Sequence, residues 1–277
     1  MTWLLLDAGN TALKWALTGP AEPRPLARGA LGLDTGFAQA LAASVKACLA
    51  ECPPVPAPRP EAIGCSVASD AVMRRIAAAV RPMLSGEVRW LTSQPRFEYR
   101  GVALVNGYRD PAQLGADRWH AMIAARQSFP GQPLVVVCAG TATTVDSIDS
   151  GGRFLGGAIA PGAALMSEAL AQGTARLPRA AGRPVAMPDH TDDAIATGVA
   201  DAQAGLVERR VRALARSIAP PQLVLAGGRA AELGARLALA GEVAGITIEE
   251  HLVLRGLWIR ASAAALAEAG ADRPDSR

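Results

Sequence analysis

The residues LLLDAGNTALKW, positions 4 to 15, return in altered form as VVVCAGTATTVD at positions 135 to 146. In each copy an apolar run of strand length meets one polar or small residue, then Ala-Gly, then hydroxyl side chains. Ala8-Gly9 aligns with Ala139-Gly140, and Thr11 falls opposite Ala142, with Thr141 and Thr143 on either side. The spacing is far longer than the roughly 20 to 50 residues of a solenoid repeat. It implies a duplicated domain.

Around both copies, apolar runs alternate with Ala/Leu-rich helical stretches, which points to an α/β architecture. In the first half TWLLLDAG, LKWALT and PLARGAL read as strands and GFAQALAASVKACLAE as a helix. EAIGCSV is a further strand, DAVMRRIAAAVRPML a helix, EVRWLT a short strand, and PAQLGADRWHAMIAARQSF one long helix opening on Pro111. The proline-rich CPPVPAPRP is a loop that no helix crosses. The second copy continues through GRFLGGAIAPG, the helix AALMSEALAQG, the loop LPRAAGRPVAMPDHT, a helix from Asp192 to Arg216, the strand QLVLAGG and a final helix after Ile248. The expected division is 1–112 and 113–277, two similar halves with a cleft between them.

Composition excludes several function classes. The net charge of +3 is the small difference between 28 basic and 25 acidic residues, and no Lys/Arg block interleaved with aromatics suggests nucleic acid. No uninterrupted apolar run approaches the roughly 18 to 20 residues of a membrane span, and no basic-then-apolar leader opens the sequence. A cytoplasmic protein is expected. Cys48, Cys52, Cys65 and Cys138 form no CxxC pair and have no histidine at ligand spacing, so reduced thiols are expected.

The turn at positions 7 to 14 carries chemistry. A strand that closes on Asp7 buries a charge, which costs several kcal/mol unless something meets it. Gly9 lets the backbone bend, Asn10 and Thr11 supply donors, and Lys14 supplies a cation; together they suit phosphate oxygens. Asp7 would then hold the divalent metal that accompanies nucleotide phosphates, directly or through water. The alternative is a hairpin turn in which Asp7 and Asn10 bond only their own backbone. Recurrence of the turn in the second half favours phosphate binding.

DAGNTALK resembles the first phosphate motif of type III pantothenate kinases, members of the acetate and sugar kinase/Hsc70/actin superfamily. NGYRDPAQLGADRW, AGTATTVD, GGAIAPG, HTDDAIATG and LVLAGG follow in the family's order. A second GADR, at positions 270 to 273 in a segment ending RPDSR, is read as chance. The resemblance implies two duplicated actin-like (ribonuclease H-like) domains with an interdomain nucleotide cleft. The implied activity is ATP-dependent phosphorylation of pantothenate at its primary hydroxyl, giving 4'-phosphopantothenate in the first step toward coenzyme A. Asp7, Ala8, Gly9, Asn10, Thr11, Ala12, Leu13 and Lys14 would surround the ATP phosphates, with Thr141 in a second phosphate loop and Gly227 and Gly228 close to adenine. Tyr108, Gly115, Ala116, Asp117, Arg118 and Thr191 would line the pantothenate pocket, which a second subunit completes, so a homodimer is expected. Mg2+ would sit at Asp7. The family's monovalent-cation position, commonly filled by potassium or ammonium, is an aspartate that here is Cys138. Its apolar VVVCAG setting keeps a thiol protonated and makes it a poor ligand for a hard cation, so that site is expected to be weakened.

Asp117 also stands on its own chemistry. Phosphoryl transfer needs positioning, charge neutralisation and a base that orients the attacking hydroxyl. An aspartate in the first turns of a helix can be that base, or it can simply answer the helix dipole. Arg118 suits bidentate grip of a substrate carboxylate. His120 shares a helical face with Asp117, but the scheme already has its base, and Trp119, Met122 and Ile123 read as core or dimer interface. Asp146 reads either as an aid to the magnesium site or as a cap of the second hairpin. His190 and His251 show no partner in the sequence. Two other functions stay open at this point: a sugar or other small-molecule kinase of the same fold, and a non-catalytic regulatory or accessory protein that keeps the fold as a binding module.

Overall fold

The computed structural model describes residues 2–19, 26–51, 59–174, 177 and 181–271. Cys52 with most of the proline-rich stretch, part of the loop that precedes the long second-half helix, and the chain from Asp272 onward lie outside them. The chain runs β1 (Trp3–Ala8), β2 (Ala12–Thr18), β3 (Ala27–Gly32), α1 (Phe37–Glu51), β4 (Glu61–Ser66), α2 (Asp70–Val80) and β5 (Arg89–Trp90). A hairpin of β6 (Arg96–Tyr99) and β7 (Val102–Val105) precedes α3 (Ala116–Ser128). Then come β8 (Leu134–Ala139), β9 (Ala142–Ile148), β10 (Phe154–Pro161), α4 (Ala163–Gly173), α5 (Thr191–Ser217), β11 (Gln222–Ala226), α6 (Ala230–Gly234), β12 (Gly245–Ile248) and α7 (Leu252–Ala271).

The two five-stranded sheets share one plan, β3-β2-β1-β4-β5 and β10-β9-β8-β11-β12. In each, the first three strands form an antiparallel meander and the last two add in parallel. The repeat in the sequence is thus a repeat of topology. Register corrects its alignment inside the turns. Asp7 pairs with Lys14 and Ala8 with Leu13, and the Gly9 N–H donates to the Ala12 carbonyl at 3.0 Å, so Asn10 and Thr11 form the tip. In the second hairpin Ala139 pairs with Thr143 and Gly140 donates to the Ala142 carbonyl at 3.1 Å, so Thr141 alone is the tip. That turn is one residue shorter. Ala12 rather than Thr11 is therefore the counterpart of Ala142, and Thr144 is the counterpart of Lys14.

Two compact units result. One holds β1–β5, α1, α2, the start of α3 and α7 from Val253; the other holds β6–β12, α4–α6 and α3 from Ala125. Neither is a continuous stretch of chain. In the first unit the two-residue period of β1 sorts its side chains. Leu4, Leu6 and Ala8 pack with Phe37, Leu41 and Val45 of α1 and with Ile76 and Val80 of α2. Trp3 and Leu5 pack on the other face with Ile63, Cys65, Ala116 and with Leu254, Leu257 and Ala261 of α7. Each such full burial contributes about 1.5–3 kcal/mol, so both faces are held. Parity then puts Asp7 on the face shared with α3 and α7. In the second unit the same rule sends Val135, Val137 and Ala139 toward α5 and α6, and Cys138 to the opposite face.

Several elements differ from expectation. The helix expected over 70–84 ends at Val80, and Pro82, which has no N–H to donate, sits in a 3₁₀ turn at Arg81–Met83. The helix expected from Pro111 is split. Pro111–Gln113 form a 3₁₀ turn whose Asp110 cap accepts from the Ala112 N–H at 3.0 Å. Leu114 is extended, and α3 begins only at Ala116. The short elements β6, β7, α6 and β12 were not expected.

Candidate active site

Asp7 is only 8% exposed, and register decides what meets its charge. Lys14 faces it across the antiparallel pair and Cys65 across the parallel one. The Cys65 thiol donates toward Asp7 Oδ1 at 4.0 Å. Asp117 acts against them. Burial pushes the Asp7 carboxyl up to about 6; Lys14 pulls it down and the charge of Asp117 adds to the rise. Burial, then Asp7 and Asp117, push the Cys65 thiol well up, which keeps it a neutral donor. Burial is thus the larger reason for the rise, with Lys14 and Asp117 acting in opposite senses. A buried carboxylate beside a second one suits a hard divalent ion such as Mg2+. Among the described residues no cluster of three His, Cys, Asp or Glu side chains could hold a metal, so Asp7 would share such an ion with water and phosphate oxygens.

The first turn of α3 fixes Asp117. Its Oδ1 accepts from the Arg118 N–H at 2.7 Å, and a Cβ on Gly115 would come within 2.7 Å of that oxygen. Glycine therefore lets the carboxylate fold back on the first turn of α3. Arg118 is 4% exposed and Ala116 is also buried. His120 is fully buried, and its Nδ1–H donates to the Ala116 carbonyl at 2.6 Å. Burial brings its imidazole down to about 4, with Ala116 opposing and Arg260 assisting; it is a neutral core histidine. Trp119, Met122 and Ile123 are buried within this chain.

The remaining sequence candidates lie in the second unit. Thr141, at its hairpin tip, accepts from the Gly162 N–H at 2.9 Å. Gly227, at φ 93, lies so close over β8 that a Cβ would be 2.3 Å from the Ala139 carbonyl oxygen. The Arg229 N–H donates to that same oxygen at 3.3 Å. The Thr141 turn and the Gly227-Gly228 turn are therefore one piece. The Tyr108 ring lies 5.2 Å from that of Phe154. Thr191 opens α5, with His190 as its N-cap. Cys138 stands in register with Thr144 and Ala226, the place that Asp7 holds in the first sheet. Asp146 is buried in mid-strand; Asp149, which accepts from the Arg153 N–H at 2.8 Å, holds the turn after β9.

A cavity of about 440 Å³ adjoins Ala139 and Gly140, walled by α4, α5, α6 and the stretch around Gly182. Gln203 of α5 is buried in its wall. Its amide donates to the Pro161 carbonyl at 2.9 Å and its oxygen accepts from the Thr143 hydroxyl. Sequence reasoning missed Gln203, Ser167, Glu168, Arg229 and Arg236 here. The one signal was Gln203 itself, a polar residue between Val199 and Val207 in the apolar stripe of α5.

Two sheets of one plan, each opening on a tight hairpin, make this an actin-like α/β protein. The activator of the 2-hydroxyisocaproyl-CoA dehydratase from Clostridium difficile, solved with bound ADPNP, shares that fold with a TM-score of 0.56 over 100% of both chains at 14% identity. Residues 3–213 match the family model of type III pantothenate kinase. The type III pantothenate kinase of Leptothrix cholodnii is 41% identical over 265 residues, 91% of this chain and 95% of that one. That of Acidovorax ebreus is 43% identical over 235 residues, 82% and 86% of the two chains. The chain belongs to the type III pantothenate kinase family.

Proposed function

We propose that this chain moves the terminal phosphoryl group of ATP to the primary hydroxyl of pantothenate, giving 4'-phosphopantothenate. The observation that supports it most is a buried Asp7 that faces Lys14 across the first hairpin in a chain of this family. Asp117 takes the proton of the attacking hydroxyl as its oxygen bonds to the γ-phosphorus and the bond to the β-γ bridging oxygen breaks. Lys14 and the donors of Gly9, Asn10 and Thr11 balance phosphate charge, with Ala8, Ala12 and Leu13 framing the turn. Asp7 would hold Mg2+, which would neutralise charge on the phosphates when bound. Thr141, Gly227 and Gly228 bring backbone close to the nucleotide. Its adenosine end takes the cavity, whose 440 Å³ falls within the roughly 300–1,000 Å³ of ligand pockets. Tyr108, Gly115, Ala116, Arg118 and Thr191 bind pantothenate, in a cytoplasmic homodimer.

The test is ADP release measured with and without pantothenate. Release that requires pantothenate supports the proposal; release that requires a hexose instead, or none at all, overturns it. Family membership and the intact Asp7, Lys14 and Asp117 weigh against the sugar-kinase and non-catalytic readings. Arg118→Ala should lose about 1.5–3 kcal/mol of pantothenate binding, the worth of hydrogen bonds to a charged group. It should also discriminate less between the acid and its amide. Equal losses for acid and amide would make Arg118 structural.

Cys138 bears on cation dependence. A thiol at the counterpart of Asp7 is a poor potassium ligand, so wild-type turnover should be nearly the same in sodium, potassium and ammonium at constant ionic strength. Activation by potassium should appear in Cys138→Asp. Strong potassium activation of the wild type would defeat this reading.

A further inference from the structure

One wall of the cavity belongs to no helix or strand. Gly182 and Pro184, in the strap 181–185, line it together with Gly140 and Gln203. Extended chain of this kind has no ladder to satisfy its backbone, and here α5 supplies the partners. Asp193 Oδ1 accepts from the Arg183 N–H at 2.8 Å. Thr197 Oγ1 accepts from the Val185 N–H at 3.0 Å and donates to the Val185 carbonyl at 3.2 Å. Gly182 lies so close on the first turn of α5 that a Cβ would come within 2.3 Å of the Asp192 carbonyl carbon.

The two latches sit four residues apart, on one face of the helix. A buried helical threonine would ordinarily turn its hydroxyl to a carbonyl of its own helix; Thr197 spends it on the strap instead. Asp193 is itself oriented by His190, whose Nδ1 accepts from the Asp193 N–H at 3.4 Å and whose Nε2 lies 3.2 Å from Asp193 Oδ2. That leaves Oδ1 for Arg183.

We propose that Asp193 and Thr197 are positioning residues for the phosphoryl donor: they latch 181–185 as a wall of its cavity and so set how long the nucleotide stays bound. The inference rests on the reading of the cavity as the seat of the donor's adenosine end. Three hydrogen bonds on a short segment outside regular structure are a weak hold, of the kind that local opening breaks. A ligand that binds only the latched form loses affinity in proportion to the latched fraction. Lid opening is also a common limit on product release.

The experiment pairs amide hydrogen exchange at Arg183 and Val185 in the ligand-free protein with the dissociation rate of Mg·ADP. Thr197→Val keeps the shape and removes both hydroxyl bonds, Thr197→Ser keeps them, and Asp193→Ala removes the third. Thr197→Val should speed exchange at Val185 and raise ADP dissociation about tenfold, with Thr197→Ser within about twofold of wild type. Asp193→Ala should do the same at Arg183, and it carries the test if Thr197→Val does not fold. Faster exchange with unchanged ADP dissociation would reduce the strap to a structural element and overturn the proposal, as would unchanged exchange. A wild type that binds no ADP overturns the nucleotide reading itself, whatever the exchange rates show.

Discussion

Asp117→Asn should fold as the wild type does and turn over roughly 10²- to 10⁴-fold more slowly, the range for loss of a general base. The substitution is nearly isosteric. Asn can still accept from the Arg118 N–H that fixes Oδ1 of the aspartate at 2.7 Å, so the first turn of α3 is undisturbed. What disappears is the oxygen able to take the hydroxyl proton, together with one negative charge. A mostly dissociative transfer asks little of its base beyond orientation, which is why the lower end of the range is as informative as the upper. Loss of the charge carries a control of its own. Asp117 helps to hold the Asp7 carboxyl up, so in Asp117→Asn that carboxyl should titrate lower than about 6. The two effects separate by method: turnover by ADP release, and Asp7 by the pH dependence of Mg·ATP binding. A folded variant with near wild-type turnover would remove Asp117 from the chemistry.

How much of this was legible before the structure depends on how local each feature is. The duplicated sheets were readable because two apolar runs close on the same Ala-Gly, whereas the face that Asp7 takes followed only from the packing of Leu4 and Leu6 on one side of β1 and of Trp3 and Leu5 on the other. Cys65 carried no signal alone, since only the parallel register of β1 and β4 brings it beside Asp7. The break at Leu114-Gly115 was hidden by a helical pattern on both sides, although a glycine two residues before Asp117 was the clue. The hairpin β6–β7 is four residues a strand, too short for its alternation to stand out around Arg100-Gly101. The cavity was least legible of all: its lining runs from Ala139 to Arg236, and no window of sequence contains it. His190 gained a partner only when helical geometry placed Asp193 one turn away.

Asp7→Asn should give a protein that is more stable at neutral pH and catalytically poor. The sign follows from the carboxyl itself. In the fold burial raises it from 3.8 to about 6, so the folded state binds the proton more tightly than the unfolded chain does. The stability this contributes is complete below about 4 and is lost as pH rises through about 6; above that, the fold carries an ionised, poorly compensated carboxylate. A shift of this size corresponds to about 3 kcal/mol at most. An asparagine amide beside Lys14 recovers less, because its own N–H groups need partners, so a gain of about 1–3 kcal/mol at pH 8 is expected. Urea denaturation of both proteins at pH 4 and pH 8 measures it: the curves should nearly coincide at the lower pH and separate at the higher. Turnover should fall roughly 10²- to 10³-fold, as when a preorganised electrostatic contact to the transition state is removed. Wild-type Mg·ATP binding should weaken below pH 6, where the carboxyl must release its proton to hold a cation, and the variant should lose that dependence. If the variant is no more stable than the wild type at pH 8, the charge of Asp7 is met within the protein and the case for a cation beside it fails. If it is more stable and equally active, the buried charge has no catalytic use.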